Sequence, residues 1–244
     1  MAKKVLLVND DGIFHPAFVK TIECFKQLGY EITICAPINQ QSAKSHAIEI
    51  RDAFEVKRIY DYEGIDAYAI DSTPADCVRF AKYYLKWQGD LVVSGVNNGL
   101  NLGDDILYSG TVAAACEAGL RGYNAIALSG EYGNPDSCIN QIKNILDFIK
   151  KEKLFDKWSI WSFNVPSNPK GFKMTNQGDV FFDTYFEEIK ENYFVQLGMP
   201  HHELEKDPNT DVAAYEAGFI SYSAISTSRT CSEKLKSEQM KQKC

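Results

Sequence analysis

The chain has 244 residues, of which 45% are hydrophobic, and its formal net charge is −7. This length and composition suit one sizeable core. A nucleic-acid binder normally carries a basic surface, so the charge argues against that class. A small anionic substrate stays possible, because a metal ion or a helix N-terminus can reverse the field locally.

Strand-like and helix-like segments alternate along the first two thirds of the chain. Residues 5–8 are a continuous apolar run that predicts a buried strand, and helical spacing follows at Phe18, Ile22 and Phe25. The same patterns predict further strands at 31–36, 90–94, 124–128 and 159–163, and further helices at 77–85, 109–120 and 139–149. This alternation predicts an α/β fold with a doubly wound, mostly parallel, Rossmann-like sheet.

The pattern changes beyond about residue 166. Shorter extended segments around 172–198 and 218–225 predict a β-rich C-terminal extension used for packing or oligomerisation. We therefore expect a single domain over 1–231, with a core of about 1–165 and an extension of about 166–231. Residues 232–244 are polar and predict a disordered tail.

The cysteines and the N-terminal segment predict a cytoplasmic protein. The seven cysteines are odd in number and include no C-x-x-C pair, which is typical of free thiols in a reducing compartment. The first residues pass directly into a strand-like run, without the apolar core of a signal peptide, and no apolar stretch is long enough to span a bilayer.

Two adjacent carboxylates, Asp10 and Asp11, follow the first predicted strand and precede Gly12. Ligands of open parallel sheets bind beyond the carboxyl ends of the strands, so this position is a candidate site. Neighbouring carboxylates repel each other, and a bound cation would explain their placement at a turn. The alternative is an ordinary solvated turn, which Asp and Gly commonly form.

Polar segments follow two other predicted strands. The long loop 96–105 offers amide and carboxylate oxygens, which suit Mg²⁺ or Mn²⁺ better than zinc. In the segment 40–46, the Ser42 hydroxyl could reach a metal ion, and Lys44 or His46 could meet a phosphate. The alternative in both cases is a polar surface loop: residues like those of 40–46 more often form one, whereas the length of the loop 96–105 favours a function.

The segment Ser109-Gly110-Thr111 opens a predicted helix, where free N–H groups and the helix dipole favour an anion. Every capped helix shares that geometry, so the adjoining polar loop is what makes the position a candidate. The chain lacks a P-loop, a dinucleotide fingerprint and a G-x-S-x-G elbow. Their absence argues against ordinary ATP hydrolysis, a nicotinamide cofactor and serine-hydrolase chemistry.

Taken together, these segments resemble the signature blocks of the SurE (survival protein E) family. The matching blocks, in order, are residues 8–13, 72–78, 93–97, 101–105, 108–115, 163–166 and 209–214, within a resemblance that covers about residues 4–225. The resemblance implies a doubly wound phosphatase for nucleoside 5′-monophosphates that is a homodimer or homotetramer. It also implies one divalent cation per subunit, Mg²⁺ or Mn²⁺, and a C-terminal extension that exchanges between subunits.

Carried over by the resemblance, the metal ligands are Asp10, Asp11, Ser42 and Asn97, and the phosphate-binding residues are Asn101, Ser109, Gly110 and Thr111. Asp10 and Asp11 are the expected catalytic residues, and Asp10 either orients the attacking water, acts as general base or only binds the cation. The chain departs from the family's pattern around Ser42: Ile38, Asn39 and Gln41 stand where the family usually has charged residues, and Ala43 replaces a glycine. Ala17 replaces a second glycine.

Three alternatives remain open from the residues. The chain could be a non-catalytic nucleotide- or phosphate-binding module of the same fold. It could be an assembly protein whose extension carries the function, without dependence on a metal. Within the enzymes, it could be a broader phosphatase that also hydrolyses 3′-nucleotides or short polyphosphate.

Overall fold

A computed structural model describes residues 3–230 of the chain, apart from the side chain of Phe181. The predicted tail 232–244 lies outside the described residues.

Thirteen strands are present in the described part of the chain. They are β1 (Lys4–Val8), β2 (Glu31–Pro37), β3 (Val56–Ile59), β4 (Asp66–Ile70), β5 (Leu91–Asn98), β6 (Ala125–Gly130), β7 (Ile160–Val165), β8 (Phe172–Met174), β9 (Phe181–Phe182), β10 (Tyr185–Lys190), β11 (Tyr193–Leu197), β12 (Pro200–His201) and β13 (Ile220–Ala224). Nine of them form one sheet in the order β3-β4-β2-β1-β5-β6-β7-β13-β8. The strands from β4 to β7 along this order pair in parallel, whereas β3 and β13 are antiparallel to β4 and β7.

Eight α-helices are described. They are α1 (Pro16–Gln27), α2 (Pro74–Tyr83), α3 (Asp105–Tyr108), α4 (Gly110–Leu120), α5 (Asp136–Ile139), α6 (Ile142–Lys151), α7 (Leu154–Lys157) and α8 (Asp211–Glu216). They cover both faces of the sheet. In β1, Val5 and Leu7 pack in the core on the side of α1 and α6, while Leu6 and Val8 pack on the side of α2 and α4. A strand buried on both faces needs the continuous apolar run that the sequence shows.

The predicted doubly wound fold is confirmed. The helix predicted from residue 109 begins at Gly110, and Ser109 caps it by accepting a hydrogen bond from Val112 N at 3.1 Å. The predicted extension also contains β8 and β13, which complete one side of the main sheet. The remaining extension strands form the β10–β11 hairpin and the short β9–β12 pair at its base.

Two features differ from the predicted elements. Strand β5 continues to Asn98, so the loop predicted from residue 96 begins only at Gly99. A register shift between Ser94 and Asn97 interrupts the pairing with β6, which resumes at Asn97 and continues to Asn98. Strands β3 and β4 were not predicted, because both are short and lie near the edge of the sheet, where apolar patterning is weak.

Candidate functional site

The two carboxylates predicted as metal ligands lie immediately after β1, at the carboxyl edge of the sheet. Asp10 is only 3% exposed, and the Asp11 side chain is 6% exposed. The Thr111 hydroxyl donates a short hydrogen bond to Asp10 Oδ1, and Asp11 Oδ2 accepts one from Asn98 N at 3.3 Å. The structure thus joins the turn after β1 to the start of α4 and to the end of β5.

The start of α4 packs directly against Asp10. A Cβ atom placed on Gly110 would lie 2.9 Å from Asp10 Cβ and 3.2 Å from Asp10 Oδ2. Only a glycine permits this approach. The N–H groups of the first helical turn have no partner inside the helix, and the N-terminal end of the dipole favours negative charge. A buried carboxylate and a helix start whose dipole favours negative charge therefore face each other.

The loop that carries Ser42 reaches the same place. Gln41 N donates to Asp10 O at 2.7 Å, and Gln41 O would lie 3.3 Å from a Cβ on Gly110. The exposed Ser42 Oγ accepts from Gln40 Nε2 at 3.1 Å. Ala43 has φ +58°, the left-handed region in which glycine is favoured, so its backbone has the conformation that the glycine of the resembled family would suit.

Asn97 and Asn101 have different partners. Asn97 lies at the end of β5, and its Nδ2 donates to Gly99 O at 2.8 Å, which leaves Oδ1 as a possible ligand atom. Asn101 is 6% exposed and points its amide toward the ends of β6 and β7, where Nδ2 donates to Ser129 Oγ at 2.7 Å. The contacts of Asn101 are with this neighbouring part of the edge rather than with Asp10, and its phosphate-binding role stays a prediction.

Among the described residues, few positively charged side chains lie near the carboxylate pair. Within residues 3–230, no lysine or arginine forms an ion pair with Asp10 or Asp11, and the nearest basic nitrogen is His15 Nδ1, 3.9 Å from Asp11 Oδ2. The pKa of Asp10 is raised to about 6: burial is the main cause, the neighbouring Asp11 charge adds to it, and the Thr111 hydrogen bond opposes both. The site thus holds more negative charge than its own side chains balance.

The donor atoms fit a hard divalent cation. Asp10, Asp11, Ser42 and Asn97 offer carboxylate, hydroxyl and amide oxygens, the ligands that Mg²⁺ and Mn²⁺ prefer. In the part of the chain that is described, no three His, Cys, Asp or Glu side chains come together as a metal-binding group. A nitrogen- and sulfur-rich centre of the zinc type is therefore not formed by those residues.

A second group of charged residues, of which the sequence pointed only to His46, holds the Ser42 loop in place. Glu117 of α4 is almost fully buried and binds His46 and Arg79, each at 3.0 Å. Burial raises the pKa of Glu117, but these two hydrogen bonds and the nearby charges of Arg121 and His46 together hold the pKa below its usual range. His46 is held by Glu117 through this contact, and its binding of a phosphate stays a prediction. The sequence did offer one indication of this group: Glu117 is a lone acidic residue inside the Ala-rich run of α4.

Asp76 anchors the far end of the same loop. Its Oδ2 accepts hydrogen bonds from Glu49 N at 2.9 Å and from the Ser72 hydroxyl at 2.6 Å, and Asp76 itself is 3% exposed. The sequence showed Asp76 only as part of a resembled block. Its contacts show a structural role, because they connect the start of α2 to the loop after β2.

A cavity of about 680 Å³ adjoins the start of α4. Its wall includes Ser109 and Leu107 on one side and Asn176 and Gln177 of the extension on the other. This volume lies within the range of small-molecule sites, which combine apolar walls with a few polar groups.

The fold and the site together define the class: a doubly wound α/β protein whose buried carboxylates face a helix N-terminus at the carboxyl edge of the sheet. The family model described as Survival protein SurE matches residues 5–184. The chain belongs to the SurE family. None of the described helices has the length and apolar character that crossing a membrane requires.

Similar proteins extend over nearly the whole chain. The 5′-nucleotidase SurE of Thermoanaerobacter sp. (strain X514) is 36% identical over 231 residues, covering 91% of both chains. That of Thermosipho melanesiensis is 35% identical and covers 95% of this chain and 94% of its own. The crystal structure of the SurE protein from Aquifex aeolicus superimposes with a TM-score of 0.78 at 29% identity, covering 98% and 99% of the two chains.

Proposed function

We propose that the chain is a 5′-nucleotidase that uses a divalent cation to hydrolyse nucleoside 5′-monophosphates to nucleoside and phosphate. Its membership in the SurE family and the names of its relatives support the reaction. The observation that carries the cation dependence is the buried Asp10–Asp11 pair facing the start of α4. A phosphate drawn to that helix start would be repelled by the two carboxylates unless a cation lay between them.

Asp10, Asp11, Ser42 and Asn97 would hold one Mg²⁺ or Mn²⁺ per subunit. When bound, such a cation polarises a phosphoryl oxygen and lowers the pKa of a coordinated water. The carboxylates supply the negative charge that attracts the cation, while the hydroxyl and the amide add neutral oxygens. Oxygen ligands of this kind suit Mg²⁺ and Mn²⁺ better than metals that prefer nitrogen or sulfur ligands.

The chain's own groups then position the substrate. The N–H groups of Gly110 and Thr111 point out of the helix start and would bind the equatorial phosphate oxygens, where charge develops in the transition state. The Thr111 hydroxyl holds Asp10 Oδ1, so Oδ2 remains available to orient the attacking water or to accept its proton. The nucleoside would lie in the cavity beside Ser109.

The β10–β11 hairpin supports assembly into a homo-oligomer. Cross-strand pairing places Phe186 and Phe194 on one face, and Tyr185 and Leu197 on the other. All four are 36% to 67% exposed, so apolar residues on both faces of the hairpin are left uncovered by this chain. An isolated two-stranded hairpin is marginal in water, and packing against a second copy would cover it.

The thiols are consistent with a cytoplasmic location, which is part of the proposal. The five cysteines within the described residues are free, and four of them are buried. Reduced thiols of this kind are usual in reducing compartments.

The decisive test is phosphate release from a panel of nucleoside 5′- and 3′-monophosphates and short polyphosphate, each with Mg²⁺, Mn²⁺ or EDTA. Asp10→Asn and Asp11→Asn should lose activity by at least two orders of magnitude, since each removes a charged ligand. Asp104→Asn is the matched control, because Asp104 is an exposed carboxylate close to the same edge.

The panel also separates the alternatives. Release from the 5′-nucleotides that disappears in EDTA supports the proposal, and the 3′-nucleotides and polyphosphate show whether the activity is broader. A folded wild-type protein that releases no phosphate with either cation, yet binds a nucleotide in calorimetry, would instead be a non-catalytic binding module.

A further inference from the structure

The chain between Asn97 and Ser109 connects a proposed metal ligand to the proposed phosphate cradle. It consists of the end of β5, residues 99–104 and α3. We call residues 99–104 the connecting loop. Because it joins two halves of the site, its conformation bears on how far the metal ligand lies from the helix start.

Two buried side chains from distant elements hold this loop. Asn164 of β7 binds both backbone groups of Asn101: its Oδ1 accepts from Asn101 N at 2.7 Å, and its Nδ2 donates to Asn101 O at 3.0 Å. Asp211, at the start of α8 in the extension, accepts from Gly103 N through Oδ2 at 3.0 Å. Asp211 is fully buried, so its carboxylate depends on these partners.

Asp211 also binds the extension itself. Its Oδ1 accepts from Gly178 N at 2.8 Å and from Val212 N at 2.9 Å. One carboxylate therefore ties together the connecting loop, the segment that leads to the hairpin and the start of α8. The three hydrogen bonds lower the pKa of Asp211, while burial, the larger effect, raises it.

Apolar contacts also join the connecting loop to the extension. Leu102 of the loop forms a small separate core with Val180 and Val212 of the extension. The backbones approach so closely that a Cβ on Gly103 would lie 2.8 Å from Val180 Cγ2 and 2.9 Å from Gly178 O. Gly103 has φ +53°. The loop is thus shaped to fit the extension.

We propose that Asp211 is a positioning residue for the hydrolysis: through Gly103 it sets the connecting loop, and with it the separation of Asn97 from the Ser109–Thr111 cradle. The C-terminal extension then takes part in building the active site of its own chain, in addition to any role in assembly. This inference rests on the proposed function, since it assumes that the chain catalyses hydrolysis. The effect of Asp211 on the connecting loop can be measured without activity.

Asp211→Asn separates the loop contact from the other two. The Asn Oδ1 can still accept from Gly178 N and Val212 N, whereas its amide group would face Gly103 N as donor against donor. Thr210→Ala is the matched control. Thr210 caps the same helix by accepting from Ala213 N at 3.2 Å, so its loss weakens α8 without removing a hydrogen bond to the loop.

Three kinds of measurement are made on both variants and on the wild type: steady-state kinetics with a nucleoside 5′-monophosphate, inhibition by inorganic phosphate, and amide hydrogen exchange in peptides covering 99–108. We expect Asp211→Asn to raise KM and the phosphate inhibition constant about tenfold, and to speed exchange in the loop about tenfold or more. Thr210→Ala should leave KM, the phosphate inhibition constant and loop exchange near the wild-type values, even if its Tm falls as far as that of Asp211→Asn.

A purely structural role predicts another result. Asp211→Asn would then lower Tm and the active fraction, with KM, phosphate inhibition and loop exchange matching those of Thr210→Ala, and the inference would be overturned. If the wild type hydrolyses nothing, the proposed function fails, and the exchange comparison alone decides whether Asp211 holds the loop.

Discussion

Asp10 is expected to lower the stability of the metal-free protein while being required for its activity. Its carboxyl group is 3% exposed and lies beside a second carboxylate. Asp10→Asn keeps the side-chain shape and an oxygen that can accept the Thr111 hydrogen bond, but removes the charge. The variant should therefore be inactive and, without metal, more stable than the wild type.

The size of the effect follows from the pKa. Burial, helped by the Asp11 charge and opposed by the Thr111 hydrogen bond, raises the pKa of Asp10 from 3.8 to about 6, which corresponds to roughly 3 kcal/mol of destabilisation by the charged form above pH 7. For a chain of this length that is a rise in Tm of roughly 6–12 °C. Because the folded state binds the proton more tightly, the wild type regains this stability as pH falls through about 6 toward 4.

Thermal unfolding of both proteins in EDTA, between pH 4.5 and 8, tests the reasoning. The Tm difference should be largest above pH 7 and narrow as pH falls, while Asp104→Asn should change little. Adding Mg²⁺ should stabilise only the wild type, since a ligand that binds the folded state raises Tm. An Asp10→Asn variant that is less stable than the wild type in EDTA, or a difference that does not change with pH, would contradict the charge-burial argument.

Three further predictions concern other parts of the molecule. Ala43→Gly should stabilise the protein by about 0.5–1 kcal/mol in urea unfolding, because relief of the φ +58° conformation exceeds the added entropy of the unfolded chain; a loss of stability would contradict this. Gly110→Ala should remove most of the activity despite the better helix propensity of alanine, because its methyl group would lie 2.9 Å from Asp10 Cβ; a fully active variant would show that the approach is not required. The double change Phe186→Glu and Phe194→Glu should lower the mass measured by light scattering to that of a smaller assembly, and an unchanged mass would place the subunit contact elsewhere.

The fold was predictable because its strands are buried on both faces. Such strands appear as continuous apolar runs, and those at 5–8 and 124–128 lie close to β1 and β6. The position of Asp10 and Asp11 followed from the same pattern, since polar residues after a parallel strand must lie at its carboxyl edge. The capping of α4 by Ser109 was predictable from local chemistry alone.

Long-range polar contacts were not predictable in this way. Asp211 and Gly103 are 108 positions apart, and nothing in the local pattern of either residue indicates the other. The pairing of Glu117 with His46 is hidden for the same reason, although a charged residue in an apolar helix signals that a partner exists. Strand β5 extends past its predicted end because tertiary pairing with β6 resumes after the register shift, which no periodicity records.

The hairpin leaves and rejoins the rest of the chain at one point. Asn176 pairs with Thr210 in a parallel bridge, and Asp211 N donates to Asn176 O at 2.9 Å, so the ends of residues 177–209 are adjacent. A segment whose two ends lie next to each other can be lengthened, shortened or exchanged without moving the strands on either side. Changes in sequence and length could thus accumulate in the outer part of this segment, while the part near Gly178 and Val180 stays fixed by its contact with the connecting loop.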